Sequence, residues 1–180
     1  MGAADQLTVA RMAAAPVIVA LFAFDFSGHE YWATAVFAVA MATDWVDGWL
    51  ARRSDSSTAM GSLLDPVADK ILVLSVLIVL LGQGVFAAWA VAAIVAREFL
   101  VSGLRLAALE RGVVLGARDL GKLKTGTQSV AAILGGFAAG GAIDESIAWW
   151  SLLVALVVTW VSGLDYARLA PRLLRSRAPA

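Results

Sequence analysis

The sequence predicts an all-α, polytopic membrane protein of six transmembrane helices with both termini in the cytoplasm, and three observations predict it. Hydrophobic residues make up 61% of the 180-residue chain, against roughly 45–50% in a soluble domain, and the mean hydropathy is +0.81. Apolar stretches of about twenty residues recur along the whole length, which is what a helix needs to cross ~30 Å of hydrocarbon; a β-barrel would instead alternate in segments of about ten. Lysine and arginine gather in every second link and in the tail.

The spans are expected near 7–25, 31–51, 60–81, 85–106, 125–142 and 147–167, forming one domain over 1–180. The links after the first, third and fifth (Phe26–Glu30, Gly82–Gly84 and Ile143–Ser146) hold no Lys or Arg. The links on the other side hold Arg52 and Arg53, then Arg111, Arg118, Lys122 and Lys124; the tail adds Arg168, Arg172, Arg175 and Arg177. The positive-inside rule therefore assigns the even-numbered links and both termini to the cytoplasm, with the tail arginines on anionic headgroups. Trp32, Trp149 and Trp150 mark the outer interface, where amphipathic rings collect. In the fifth span, Gly136-x3-Gly140 offers either a close helix contact or a thin helix fitted into the bundle. The leading MGAADQ carries an acid and no base, so no signal peptide is expected, and Gln6 breaks the myristoylation pattern. The chain has no cysteine, which excludes disulfides and thiol chemistry, and no internal repeat is evident.

The stretch 44–69 departs from this apolar background. Asp44 and Asp47 are three apart, and Asp65 and Asp69 are four apart, so on helices each pair shares a face. Counting inward from Arg52 and from Gly61 puts Asp44 and Asp69 about 12 Å into the membrane from the cytoplasmic interface. Each ionised Asp costs ~2.5–3.5 kcal/mol there, and four together repel one another. Bound cations remove both penalties. Carboxylates suit Mg²⁺ or Mn²⁺; the absence of Cys and a single His, His29, in an outer link, disfavour zinc and copper. A set of acids merely paired with bases needs more nearby bases than the segment holds. A second reading, a small cation- or proton-coupled transporter, draws on the same acids. Against it, no acid continues the path: Asp25, Glu30, Asp144 and Glu145 belong to outer links or ends.

Read with its gaps, the stretch is Asp44-x2-Asp47-Gly48-x2-Ala51-Arg52-x8-Gly61-x3-Asp65-x3-Asp69. It resembles the signature of the CDP-alcohol phosphotransferase family at all eight specified positions. Thr8, Arg11 and Pro16 look like that family's first helix. Arg97-Glu98 with Val101-Ser102-Gly103-Leu104-Arg105, Gly121-Lys122-x-Lys124-Thr125-x2-Gln128, and Ser162-Gly163-x-Asp165-Tyr166 are similar to its phosphatidylglycerophosphate-synthase branch. The resemblance implies a six-helix homodimer in a bacterial inner membrane. The implied reaction moves a phosphatidyl group from CDP-diacylglycerol to an alcohol, with release of CMP. Two ions would clamp the phosphates. Carried over by motif position, Asp44, Asp47, Asp65 and Asp69 ligate metal, and Asp69 also acts as the general base. Asp47, Gly48, Ala51, Arg52 and Gly61 bind the CDP moiety: small residues admit the nucleotide, and Arg52 takes phosphate oxygens.

A phosphorylated acceptor needs fixed positive charge beside the metals. Arg97 and Arg105 in the fourth span, Lys122 and Lys124 at the mouth of the fifth, and Arg11 in the first are the candidates, the alternative for Arg97 being a helix-packing ion pair with Glu98 or another acid. With the resemblance they favour glycerol 3-phosphate; an inositol phosphate is the runner-up. The other partners expected are membrane lipids and a second copy of the chain, and not nucleic acid. Lys70 points about 100° away from Asp69 on a helix and is read as structural, snorkelling or paired with an acid. Pro66 is read as a kink or early turn, and His29 as a polar surface residue.

Overall fold

The computed structural model describes the backbone of residues 3–51, 59–110 and 119–167 and the side chains of 8–43, 67–110 and 121–164. Over these residues the chain forms α1 (Ala3–Ala23), α2 (His29–Ala51), α3 (Ala59–Gly82), α4 (Ala88–Glu110), α5 (Asp119–Ala139) and α6 (Glu145–Ala167). No strand occurs among them.

The helix ends differ from the hydropathy boundaries for local reasons. α3 stops because Gly84 takes a φ of +81°, a conformation in which glycine has no Cβ to clash. The Gly84 N–H donates to the Leu81 carbonyl and the Val85 N–H to the Leu80 carbonyl, each at 3.0 Å, which satisfies the last carbonyls of the helix. Val85 and Phe86, expected to open the fourth span, instead fold into the core, and α4 begins at Ala88. α5 ends on the same device at Gly141, with Gly141 donating to Ala138 and Ala142 to Phe137, each at 2.9 Å. α6 opens on a cap: the Ser146 N–H donates to Asp144 Oδ1 at 2.8 Å. The Ser146 side-chain hydroxyl and backbone N–H together hold the Asp144 carboxyl below its ordinary range. α5 begins at Asp119, six residues before the expected 125, because helical hydrogen bonds continue through Lys122 and Lys124, good helix formers that hydropathy reads as an end.

α1 lies against α2 and α3; α5 packs on α6, α2 and α3; α4 packs on α6 and α3. Thr8, Arg11, Ala15, Ile18 and Phe22 form the inward stripe of α1, three and four residues apart as a helix face requires. Phe37, Leu72, Leu77, Leu80, Phe86, Ile94 and Leu152 fill the centre. Glycine lets α5 approach closely. A Cβ on Gly135 would lie 2.6 Å from both Leu80 Cδ1 and Phe86 Cζ, one on Gly136 would strike Thr34, and one on Gly140 would meet the Tyr31 ring at 2.8 Å. The Tyr31 hydroxyl donates to the Gly140 carbonyl. The expected glycine pair thus seats α5 on α2 within one chain.

The two ends of the bundle differ. At one end Tyr31 meets Gly140 and Trp89 meets Trp149 edge-on, beside the links that hold no Lys or Arg. At the other, Arg11, Asp69, Lys70, Arg97, Glu98 and Lys124 make side-chain contacts. Outside the apolar core, large apolar side chains are exposed beside buried charged ones, unlike the surface of a soluble protein. Phe99 is 70% exposed and Leu100 61%, whereas the neighbouring Arg97 and Glu98 are 3% and 2%. Among the described residues, Glu145–Leu164 in α6 is the one stretch long and apolar enough to cross a bilayer by length and composition; Thr8–Ala23 is apolar but shorter. Charged residues also lie within three of the other helices: Asp69 and Lys70 in α3, Arg97, Glu98 and Arg105 in α4, and Lys122 and Lys124 in α5.

Candidate active site

α2 carries Asp44, Asp47, Gly48 and Ala51 in its last turns, and α3 carries Gly61, Asp65 and Asp69 in its first three. The two helices expected to carry the motif are therefore present. The side-chain surroundings of Asp44, Asp47, Gly48, Ala51, Gly61 and Asp65 lie outside the described residues, as does Arg52 altogether.

Asp69 is described. Its Oδ1 accepts from Arg11 Nη1 at 3.0 Å across the α1–α3 contact. The guanidinium is buried, with 5% of its side chain exposed, while Asp69 keeps 27%. Arg11 also lines a cavity of about 130 Å³ with Ala10, Ala14, Ala40 and Thr43, between α1 and α2. Small side chains make that space, and the inward stripe of α1 aims Arg11 at its edge. The first-span arginine expected beside the acceptor is thus held on the carboxylate expected to serve as base.

A second cluster joins α4, α5 and α6 through Glu98. Its Oε1 accepts from Lys124 Nζ at 2.6 Å, Arg97 Nη1 at 3.1 Å and Gln128 Nε2 at 3.4 Å. Gln128 Nε2 also donates to Thr159 Oγ1 at 2.8 Å, and Arg97 Nη2 to Ser162 Oγ at 2.6 Å. Gly163 leaves room for the guanidinium: a Cβ there would sit 3.0 Å from Arg97 Nε. Such groups are tolerated inside only when paired and hydrogen-bonded, and here both cations share one carboxylate.

The expected acceptor cations therefore separate. Arg97 and Lys124 meet on Glu98. Arg105 is half-buried on α4, and Lys122 is exposed on α5. Lys122 and Lys124 are two residues apart, about 200° around a helix, so one faces in while the other faces out. Lys124 lies well inside α5, not at its mouth, because the helix starts at Asp119. Lys70 meets neither water alone nor an acid; its Nζ donates to Ser102 Oγ at 2.5 Å. The sequence reading gave no hub role to Glu98 and no partner role to Gln128, Thr159 or Ser102. The available signal was the spacing of polar residues inside apolar helices: Lys124 with Gln128, Glu98 with Ser102, and Thr159 with Ser162.

The donor chemistry fits a hard divalent cation. The four motif side chains are all carboxylates, the chain has no Cys, and His29 lies at the far end of α2, its Nε2 3.0 Å from Glu30 Oε1. Oxygen-only donor sets suit Mg²⁺ and Mn²⁺.

Comparison with known proteins places this arrangement. The sequence profile of the CDP-alcohol phosphatidyltransferase family matches residues 1–161. The chain is 39% identical to the CDP-diacylglycerol–glycerol-3-phosphate 3-phosphatidyltransferase of Bacillus subtilis (strain 168) over 176 residues, covering 90% of this chain and 91% of that one. It is 38% identical to the Escherichia coli (strain K12) protein of the same name over 130 residues, 69% of this chain and 71% of that one. An Arabidopsis thaliana relative, CDP-diacylglycerol–glycerol-3-phosphate 3-phosphatidyltransferase 1, chloroplastic/mitochondrial, is 35% identical over 181 residues, 86% of this chain and 61% of its own.

Proposed function

We propose that this chain, which belongs to the CDP-alcohol phosphatidyltransferase family, transfers the phosphatidyl group of CDP-diacylglycerol to glycerol 3-phosphate, giving phosphatidylglycerophosphate and CMP. The observation that carries this reading is the near-full-length match to a relative bearing that activity in its name. It displaces the transporter reading of the same acids.

The acceptor's hydroxyl oxygen attacks the phosphorus that carries diacylglycerol. A new P–O bond forms as the bond to the CMP phosphate breaks; CMP leaves with the bonding pair, and the hydroxyl proton passes to Asp69. Such transfers need positioning and charge neutralisation rather than covalent help. Asp44, Asp47, Asp65 and Asp69 hold two Mg²⁺ or Mn²⁺ ions, whose contribution when bound is to neutralise the phosphates. Arg11 fixes the orientation of Asp69 from α1. Asp47, Gly48, Ala51, Arg52 and Gly61 hold the CDP moiety. Arg97, Lys124, Arg105, Lys122 and Arg11 supply the positive field for the acceptor's phosphate.

The chain crosses a bacterial inner membrane with six helices and works as a homodimer. The apolar exterior at Phe99, Leu100, Val157 and Trp150 around an ionic interior supports the membrane. The one-sided Lys and Arg distribution supports a cytoplasmic site.

Purified protein given CDP-diacylglycerol and Mg²⁺ is expected to release CMP only when glycerol 3-phosphate is added. Inositol phosphate, inositol and serine are the comparison acceptors. Turnover with inositol phosphate alone would reassign the acceptor, and release of CMP with no acceptor present would remove the transferase reading. EDTA is expected to stop turnover and Mg²⁺ or Mn²⁺ to restore it. Asp→Asn at 44, 47, 65 or 69 is expected to abolish turnover in a folded protein; full activity in any one contradicts its role.

A further inference from the structure

Lys70 differs from the other inward cations of the α4 side. Arg97 and Lys124 bind a carboxylate. Lys70 Nζ binds the Ser102 hydroxyl at 2.5 Å, and that hydroxyl donates onward to the Glu98 carbonyl at 2.7 Å. A hydroxyl neutralises no charge, and an ammonium has three N–H donors, of which Ser102 takes one. The lysine is half-buried. The charges that act on it are the Glu98 and Asp69 carboxylates, which attract it, and the Arg105 and Arg97 guanidiniums, which repel it; both carboxylates already hold other cations, Lys124 and Arg97 on Glu98 and Arg11 on Asp69. An ammonium whose hydrogen-bond partner is neutral, beside carboxylates already engaged by other cations, is poised for an anion that is not part of the chain.

Its place on α3 says which anion. Asp69 faces Arg11 on α1, and Lys70 faces Ser102 on α4, the next residue and about 100° around the helix. A small acceptor whose hydroxyl reaches Asp69 has its other end in reach of Lys70. We propose that Lys70 contacts the phosphate monoester of the acceptor, that Ser102 aims it, and that the pair sets the requirement for a phosphorylated acceptor. This rests on the acceptor being a phosphate monoester, as the proposed function has it.

The test compares Lys70→Met, Lys70→Arg and Ser102→Ala. It reads equilibrium binding of glycerol 3-phosphate, inositol phosphate and glycerol to the detergent-purified protein without donor, and KM for each substrate in CMP release. Loss of a charge-assisted contact is expected to weaken phosphate-monoester binding and raise the acceptor KM by about ten- to a hundredfold in Lys70→Met. The KM for CDP-diacylglycerol stays within about twofold, Lys70→Arg recovers most of the affinity, and Ser102→Ala falls between. An unmoved acceptor KM overturns the proposal; so does a matching rise in the donor KM, which assigns Lys70 to the lipid diphosphate instead. If Lys70→Met does not fold, Ser102→Ala decides, since it keeps the charge and loses only the aim: an unmoved acceptor KM there overturns the proposal equally. Wild-type turnover with inositol phosphate alone removes glycerol 3-phosphate as acceptor, and Lys70 is then judged by the same KM split on inositol phosphate. Turnover with unphosphorylated acceptors alone overturns both.

Discussion

Replacing Glu98 by Gln tests whether one carboxylate holds the α4–α5–α6 junction together. Glutamine keeps the shape and removes the charge. Lys124 and Arg97, with 10% and 4% of their side chains exposed, then lose the negative charge they share at 2.6 and 3.1 Å. Removing one partner of a buried ion pair costs about 3–5 kcal/mol, and two cations on one acid place this case toward the upper end. At about 2–4 °C per kcal/mol for a chain of this size, the apparent Tm should fall by about 6–20 °C. The assay is thermal unfolding of the detergent-purified protein without substrate, run beside Lys124→Met and Glu98→Gln/Lys124→Met. The double variant should lose less than the two single losses added, by about 0.5–3 kcal/mol, because deleting Lys124 removes a cation that Glu98→Gln strands. An apparent Tm within about 2 °C of wild type, or strict additivity, would refute the hub.

Three further outcomes follow from the packing and the caps. Gly135→Ala places a methyl 2.6 Å from Leu80 Cδ1 and Phe86 Cζ; overpacking of this kind costs about 1–3 kcal/mol, read as an apparent Tm several degrees lower. Gly163→Ala puts its Cβ 3.0 Å from Arg97 Nε, so the guanidinium must shift; the acceptor KM should rise a few-fold while the apparent Tm barely moves, and an unchanged KM removes Arg97 from the acceptor's field. Asp144→Ala removes the α6 cap. Because Ser146 holds that carboxyl below its ordinary range, the cap contributes above about pH 4 and is lost as pH falls through the depressed value. The Tm gap between wild type and Asp144→Ala should therefore be level near neutrality and close in acid; a gap unchanged in strong acid contradicts the assignment.

The six helices of the described residues and their order were readable from local properties, as was the acidic stretch proposed to bear the chemistry. Run length, the three- and four-residue spacing of the aspartates and the one-sided Lys and Arg links need no knowledge of where other segments lie. Boundaries were less legible. Hydropathy ran the fourth span back to Val85, although Gly84 ends α3 and Phe86 belongs to the core. Hydropathy likewise missed that α5 runs through Lys122 and Lys124.

Pairing was decided by the tertiary structure alone. Arg97 beside Glu98 is visible in sequence. That Lys124 reaches the same oxygen from 26 residues away, that Arg11 finds Asp69 from 58, and that Lys70 ends on a serine from 32 is not. A charge carries no period that names its partner. The partner follows from how each helix is rotated about its axis and how closely it approaches its neighbour, and here Gly135, Gly136, Gly140 and Gly163 set that approach by leaving room for side chains from other helices.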